Sequence, residues 1–197
     1  MSNPSTPYGF RFVGLIDGTN PTFGIYRRGL IQASAATKMF YGDVVAPLSS
    51  GYFAPQSVTG GGAAVGGVAG NLFDWDSLAA RMHVWQNWWT GVASDVPSGE
   101  NVNVGVISNP QAVFQVRSSG ASGAAVAQSA VGENANFTVG SGGNTLNGLS
   151  SYALDDSTIG TGSSLPFKIY GIVPAPESDP TSIYNEVFVI FNNLANS

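Results

Sequence analysis

The sequence predicts a mostly β protein: a compact β-barrel or sandwich-like domain with an extended N-terminal arm and one or two short helices. The first observation is that 26 of the 197 residues are glycine and only 10% are charged, where soluble domains carry about 25% charged residues. So few charges cannot cover the solvent faces of several amphipathic helices. The second is that short apolar runs bounded by Gly, Pro, Asn and Ser recur along the chain, which is typical of strands and turns.

The elements follow in order from this pattern. Residues 1–12 contain prolines and a glycine without periodicity and predict an extended arm, and residues 13–197 form one β-rich domain. The last apolar run, residues 187–191, is apolar on both faces and predicts a central or interface strand. Residues 43–48 and 52–58 predict a hairpin, because residues 49–51 have turn chemistry. Apolar patterning predicts strands over residues 10–15, 23–26, 30–34, 43–48, 52–58, 101–107, 112–117, 165–173 and 184–192.

The remaining segments are less regular. The glycine-rich stretch at residues 59–71 predicts a loop that leads into a strand around residues 65–68, and it lacks the Gly-Lys-Ser/Thr of a phosphate-binding loop. Residues 74–84 fit a helix, but their apolar residues could equally alternate in strands, and both interpretations stay open. The alanine-rich stretch at residues 123–131 predicts a short helix, and residues 140–148 predict turn and loop.

Composition excludes several classes of function. No apolar run approaches the roughly 18 residues needed to cross a bilayer, so we expect no membrane partner. A net charge of −5 and a pI near 4.5 argue against nucleic acid, because binding to phosphates needs a basic surface. The chain has no cysteine, which removes disulfides and thiolate zinc sites. No cofactor is predicted.

Candidate catalytic and metal-binding groups are few. His83 is the only histidine, and no Gly-x-Ser-x-Gly motif accompanies it. Asp74 and Asp76 share a face if they lie on a strand and are the acidic pair best placed to hold a divalent ion with His83. The two carboxylates supply too few oxygen ligands for calcium, which takes about six to eight. The sequence therefore predicts neither a catalytic nor a metal site, and a protein that is not an enzyme.

All four tryptophans, Trp75, Trp85, Trp88 and Trp89, lie within residues 75–89. Aromatic residues on a β surface either stack on sugars or anchor cores and protein interfaces. We favour cores and interfaces, and a glycan-binding adhesive module on a virion surface or fibre is the alternative. The predicted partner-binding residues are Tyr8, Phe10 and Arg11 of the arm, with Trp88 and Trp89.

The low charge also bears on assembly. A soluble monomer usually carries charges over about 25–35% of its surface, and this chain has too few. Part of its surface is therefore expected to be buried against partners in a permanent assembly.

Several short motifs resemble those of capsid cement, or head-decoration, proteins of tailed bacteriophages, in the same order along nearly the whole chain. The resemblance implies a β-rich structural virion protein on the outer surface of an icosahedral head, assembled in the host cytoplasm. It further implies homotrimers that lock neighbouring subunits of the major capsid protein together. The glycine-rich stretch and the tryptophan cluster depart from the family pattern. The motifs are Asn3-Pro4, Pro7-Tyr8-Gly9-Phe10-Arg11, Phe40-Tyr41-Gly42-Asp43-Val44-Val45, Asn109-Pro110-Gln111-Ala112-Val113-Phe114-Gln115-Val116, Val131-Gly132-Glu133-Asn134-Ala135-Asn136-Phe137, Leu165-Pro166-Phe167-Lys168-Ile169, Tyr184-Asn185-Glu186-Val187 and Asn192-Asn193.

Overall fold

A computed structural model describes residues 3–20, 26–57, 64–140 and 142–195. Strands account for 45% of the residues and helix for 3%, so the predicted mostly β, sandwich-like fold is confirmed. No helix in the described ranges is both long enough and apolar enough to span a membrane.

The strands, numbered in chain order, are β1 (Arg11–Leu15), β2 (Tyr26–Ile31), β3 (Met39–Phe40), β4 (Val44–Pro47), β5 (Phe53–Pro55), β6 (Gly67–Ser77), β7 (Met82–Gln86), β8 (Trp88–Trp89), β9 (Val102–Ile107), β10 (Ala112–Arg117), β11 (Asn134–Thr138), β12 (Ala153–Gly160), β13 (Phe167–Ile172) and β14 (Glu186–Phe191). Single 3₁₀ turns lie at Ala93–Asp95 and Gln128–Ala130.

Sheet A contains six antiparallel strands in the order β1-β10-β14-β13-β11-β12. The strand predicted to be central from its two apolar faces, β14, lies between β10 and β13. Phe114 and Val116 of β10 point into the core, whereas Gln115 and Arg117 point to the other face. One face of the sheet is therefore apolar and the other carries polar side chains.

Sheet B has the order β2-β9-β6-β4-β5, and β7 pairs with the second half of β6. The sheet curls so that its outer strands meet: a Cβ placed on Gly29 of β2 would lie 2.6 Å from the ring of Phe53 on β5. Only glycine permits this approach. A two-stranded sheet of β3 and β8 packs beside it, and Met39 and Trp89 of that sheet are buried in the same cluster as Phe53.

Two hydrophobic clusters fill the domain, and β4 contributes to both. Val44 belongs to the inter-sheet core together with Ile107 of sheet B and Phe114 of sheet A. Val45 points the other way, into the core enclosed by sheet B with Phe73 and others. Consecutive residues of a strand point to opposite faces, so the Val-Val pair marks a strand that is buried on both sides.

Several element predictions are confirmed within the described residues. The strands predicted at residues 10–15, 101–107, 112–117, 165–173 and 184–192 correspond to β1, β9, β10, β13 and β14, and the predicted hairpin is β4–β5. Residues 74–84, for which a helix and strands were both compatible with the sequence, form strands, because β6 and β7 pair as a hairpin there. Residues 145–148 form turns, as predicted.

Other predictions need correction. The helix predicted at residues 123–131 is wrong: the segment holds turns and the 3₁₀ turn Gln128–Ala130, because Asn185 makes two hydrogen bonds with the Val126 backbone and holds the chain open. The strand predicted at residues 30–34 begins earlier, as β2, and ends at Ile31. The glycine-rich stretch leads into a strand, as predicted, but this strand is β6, which begins at Gly67 and includes residues 69–71 of the predicted loop. Residues 23–25 and 59–63 lie outside the described residues.

The N-terminal segment, residues 3–10, is extended, but it is attached to its own domain. Asn3 donates to Ser178 Oγ at 2.9 Å, and the Gly9 N–H donates to the Tyr152 carbonyl at 3.1 Å. Phe10 is fully buried and stacks on Phe167, with ring centroids 4.4 Å apart. The segment is therefore part of the fold up to β1.

Candidate functional site

Two of the predicted partner-binding residues line one cavity on the polar face of sheet A. Tyr8 and Arg11 border this cavity, which has a volume of about 510 Å³, together with Leu149 and Glu186. Arg11 is exposed and Tyr8 is half-buried. The N-terminal segment thus forms one wall of the cavity.

A buried ion pair lies beneath the cavity. Arg117 on β10 and Glu186 on β14 are register partners, and Arg117 Nη2 donates to Glu186 Oε1 at 2.6 Å. Gln115 Nε2 donates to the other carboxylate oxygen of Glu186 at 2.5 Å, and Arg11 Nη2 donates to Gln115 Oε1 at 3.3 Å. The side chains of the pair are only 10% and 9% exposed, so solvent screens their attraction weakly.

Arg117 also holds the N-terminal segment in place. Its Nη1 donates to the backbone carbonyl of Thr6, and its guanidinium carbon lies 5.1 Å from the centre of the Tyr8 ring. Burial raises the pKa of the Tyr8 phenol, and the nearby Glu186 carboxylate raises it further. Tyr8 is therefore a neutral aromatic wall of the cavity at physiological pH.

A short loop at residues 144–149 stands beside the cavity and presents Leu146, which is 96% exposed. The Asn144 N–H donates to the Leu149 carbonyl, and the Gly148 N–H donates to the Asn144 carbonyl, each at 2.8 Å. The Leu146 N–H donates to Asn144 Oδ1 at 2.8 Å. These bonds fix the loop, so little conformational entropy is lost if a partner covers Leu146.

The loop joins neighbouring cavities into one surface. A cavity of about 470 Å³ shares Tyr8 and Leu149 with the first, and it contains Asn147. A cavity of about 300 Å³ contains Asn147, Leu146 and Trp88. The loop face, as we name this surface, consists of Tyr8, Arg11, residues 144–149 and Trp88.

The structure brings Tyr8, Arg11 and Trp88 to the loop face, but it removes Phe10 and Trp89 from any exposed surface. Both are fully buried in the protein's own cores, so their prediction as partner contacts is wrong for this fold. Trp88 and Trp89 are consecutive on β8 and must point to opposite sides. Trp88 stacks on Phe40 at 5.3 Å, and Trp89 packs edge-on against the buried Trp75 at 5.1 Å.

The buried Asp43 carboxyl supports the base of the loop face. Its Oδ2 accepts the Phe40 N–H at 2.8 Å. Burial raises the pKa of Asp43 from 3.8 to about 6, against the opposing effect of hydrogen bonds from Ser150 and the Phe40 backbone. Ser150 directly follows the loop, so the protonation of Asp43 is linked to the packing at its base.

We expect the contribution of Asp43 to the free energy of unfolding to fall by up to about 3 kcal/mol as the pH rises from about 4 to about 6. In that range the native Asp43 retains a proton that the unfolded chain has released, so raising the pH favours unfolding. Urea unfolding of the wild type and Asp43→Asn across this range measures the effect as the difference between the two curves. Glu100→Gln, at an exposed carboxylate, is the control. A difference curve that is flat with pH would contradict the assignment.

A second recess lies on sheet B, away from the sheet A network. It has a volume of about 450 Å³, and its lining includes Tyr26, Arg28, Asp74, Trp85 and Asn103. We name it the β2–β9–β6 groove after the strands that carry most of its lining. Sequence reasoning missed Tyr26, Arg28 and Asn103, although the alternation of Tyr26 and Arg28 along one strand face was a signal that was available.

The structure separates Asp74 from the other two candidate metal ligands, Asp76 and His83. His83 Nδ1 and Asp76 Oδ1 are 2.8 Å apart at an exposed position of the β6–β7 hairpin. Asp74 instead accepts a hydrogen bond from Asn103 Nδ2. Within the described ranges, no three His, Asp or Glu side chains come together as a set able to hold a metal ion.

Comparison with known proteins adds no relative. A scan against protein-family models, a search of the curated proteins and a search of the solved structures found no match to this chain.

Proposed function

We propose that this protein is a structural cement protein of a tailed-phage capsid. It binds the outer surface of the icosahedral head, as trimers, and holds neighbouring major capsid subunits together through the loop face. The observation that carries the attachment site is Leu146: an almost fully exposed leucine on a loop closed by its own hydrogen bonds. Apolar anchors that need no reorganisation are favoured in stable interfaces.

The motif resemblance supports the class of protein. Its longer motifs correspond to the N-terminal segment, to β3 and β4, and to β10, β11, β13 and β14 of sheet A. The motifs at the N-terminal segment, after β3, on β10 and on β14 contribute Tyr8, Arg11, Tyr41, Gln115 and Glu186 to the lining of this cavity. Tyr8 and Arg11 of the loop face thus belong to the motifs that resemble cement proteins, whereas Leu146 and Trp88 lie outside those motifs.

The proposed mechanism is mass action without catalysis. A ligand that binds only the assembled shell stabilises that shell by RT ln(1 + [L]/Kd), where [L] is the concentration of free ligand and Kd its dissociation constant. A trimer that contacts several capsid subunits engages them together, and simultaneous engagement multiplies weak contacts through a high effective concentration. With charged residues at 10% of the chain, the attachment rests mainly on apolar and backbone contacts and should persist at high salt.

We expect Leu146→Asp to weaken binding to phage heads by tenfold or more, because the substitution places a charge where an apolar side chain would be desolvated. Purified protein is added back to heads made without it, and bound protein is measured by sedimentation. Leu48→Asp is the matched control, since Leu48 is an exposed leucine in the β4–β5 turn. Equal losses of affinity for Leu146→Asp and Leu48→Asp would show that the loop face is not the attachment surface.

The temperature at which heads release their DNA tests the cementing role itself. Heads without the protein should release DNA at a lower temperature than complete heads, and wild-type protein should restore the difference even at high ionic strength. Sedimentation of the free protein tests the trimer. Equal release temperatures for bare and decorated heads, or a stable monomer that fails to bind heads, would overturn the proposal.

A further inference from the structure

The β2–β9–β6 groove combines an apolar floor with an exposed aromatic side chain. Leu72, Val104 and Gly105 line it, and Trp85, 61% exposed, stands at its edge. A Cβ on Gly105 would lie 3.2 Å from the Tyr26 ring and 3.3 Å from Leu72. Glycine at this position therefore keeps the floor open.

A fixed row of polar groups runs along the groove. Arg28 Nε donates to Asn103 Oδ1 at 3.0 Å, and Asn103 Nδ2 donates to Asp74 Oδ1. The Asn103 amide is thus oriented from both ends, and Asp74 is only 8% exposed. Within the described part of the chain, the hydrogen bonds of this row leave Asp74 Oδ2 and the two Nη groups of Arg28 to be used by a ligand.

The two edges of the groove, at β2 and at β7, are also preorganised. The Tyr26 hydroxyl donates to Asn71 Oδ1 at 3.3 Å, which fixes the ring against the floor. His83 is held through Nδ1 by Asp76 at 2.8 Å, and its ring packs edge-on against Trp85 at 5.1 Å. The contact with His83 sets the orientation of the exposed indole.

We propose that this groove binds a neutral saccharide. A sugar ring has an apolar C–H face, which an exposed indole stacks against, and hydroxyl groups at its edge, which need paired donors and acceptors. Trp85 supplies the stacking surface, Asp74 Oδ2 accepts hydrogen bonds from sugar hydroxyl groups, and the Arg28 Nη groups donate hydrogen bonds to hydroxyl oxygens. The volume of about 450 Å³ lies within the range of small-molecule sites, about 300–1,000 Å³.

Other ligand classes fit less well. A purely apolar ligand would leave the Arg28–Asn103–Asp74 row desolvated without partners. A phosphate would face the Asp74 carboxylate in a chain whose net charge is −5. The row carries one guanidinium and one carboxylate, which compensate each other, so the groove favours a ligand without net charge.

The experiment uses the purified full chain on a printed array of neutral and acidic oligosaccharides. The best neutral oligosaccharide is then titrated while tryptophan fluorescence is followed. We expect Trp85→Ala and Asp74→Asn each to weaken its binding by tenfold or more. Tyr170→Ala is the matched control, because Tyr170 is an exposed aromatic residue on β13 of the other sheet; it should bind as the wild type does. Thermal melting verifies that each variant is folded.

The outcomes separate this proposal from the cementing role. Leu146→Asp alters the loop face and should retain saccharide binding. Arg28→Met alters only the groove, so it should lose saccharide affinity but retain binding to phage heads. Absence of binding to every neutral oligosaccharide at millimolar concentration would overturn the proposal. So would binding restricted to acidic sugars, or neutral binding that Trp85→Ala and Asp74→Asn leave unchanged.

Discussion

Phe10→Ala is expected to lower the free energy of unfolding by about 3–5 kcal/mol. Phe10 is fully buried and stacks on Phe167, which in turn packs against Phe137 and Phe191. Removing the ring leaves a cavity that this cluster cannot close, because the Phe10 backbone is fixed by a hydrogen bond to the Gly42 carbonyl at 3.0 Å. Urea unfolding monitored by tryptophan fluorescence measures the loss.

Phe12→Ala is the matched control. Phe12 lies two residues further on, is only partly buried and meets Phe114 edge-on at 6.2 Å, so its truncation should cost clearly less. Equal losses for the two variants would mean that Phe10 is not a core residue.

The same observation changes the expectation for the N-terminal segment. A free arm would be removable without effect on the fold, whereas deleting residues 2–11 removes Phe10 and the first residue of β1. We expect the truncated chain to be strongly destabilised. A loss of capsid binding on truncation would therefore not by itself identify a partner contact, and Leu146→Asp is the cleaner probe.

Apolar patterning reports burial, so it predicts the strands that carry a continuous apolar run, but it does not predict β11 and β12, whose sequences contain several polar residues. Residues 187–191 are apolar on both faces, and β14 is central in sheet A. The Val44–Val45 pair was identified as a strand, but which core each side chain enters depends on how sheet B curls. That curl requires Gly29 to approach Phe53, a contact between residues distant in sequence.

The failures share one physical cause, which is that local composition does not reveal long-range partners. Alanine-rich residues 123–131 have helical propensity, but the two hydrogen bonds between the Asn185 side chain and the Val126 backbone override it. Prolines made the N-terminal segment resemble an arm, while Phe10 finds its partner on β13. Of the predicted partner residues, Tyr8, Arg11 and Trp88 reach one surface only because the loop at residues 144–149 joins their cavities.

Arg117→Met is expected to cost about 3–5 kcal/mol of unfolding free energy, since it leaves the buried Glu186 carboxylate without its counter-charge. The 2.6 Å contact between Arg117 Nη2 and Glu186 Oε1 lies on neighbouring central strands. Gln115 alone, at 2.5 Å, cannot replace a full positive charge. Denaturant unfolding of the wild type, Arg117→Met, Glu186→Met and the double variant forms a double-mutant cycle, which measures the coupling free energy of the pair.

The double variant should be considerably more stable than the sum of the two single losses predicts, because removing both charges also removes the desolvation cost of an unpaired one. Arg117 has a second role, since it donates to the Thr6 carbonyl and covers the Tyr8 ring. The double variant should therefore regain stability but expose residues 3–8 to faster amide hydrogen exchange than in the wild type. Losses that simply add would contradict a coupled pair, and unchanged exchange would show that the N-terminal segment is held by Asn3 and Phe10 without Arg117.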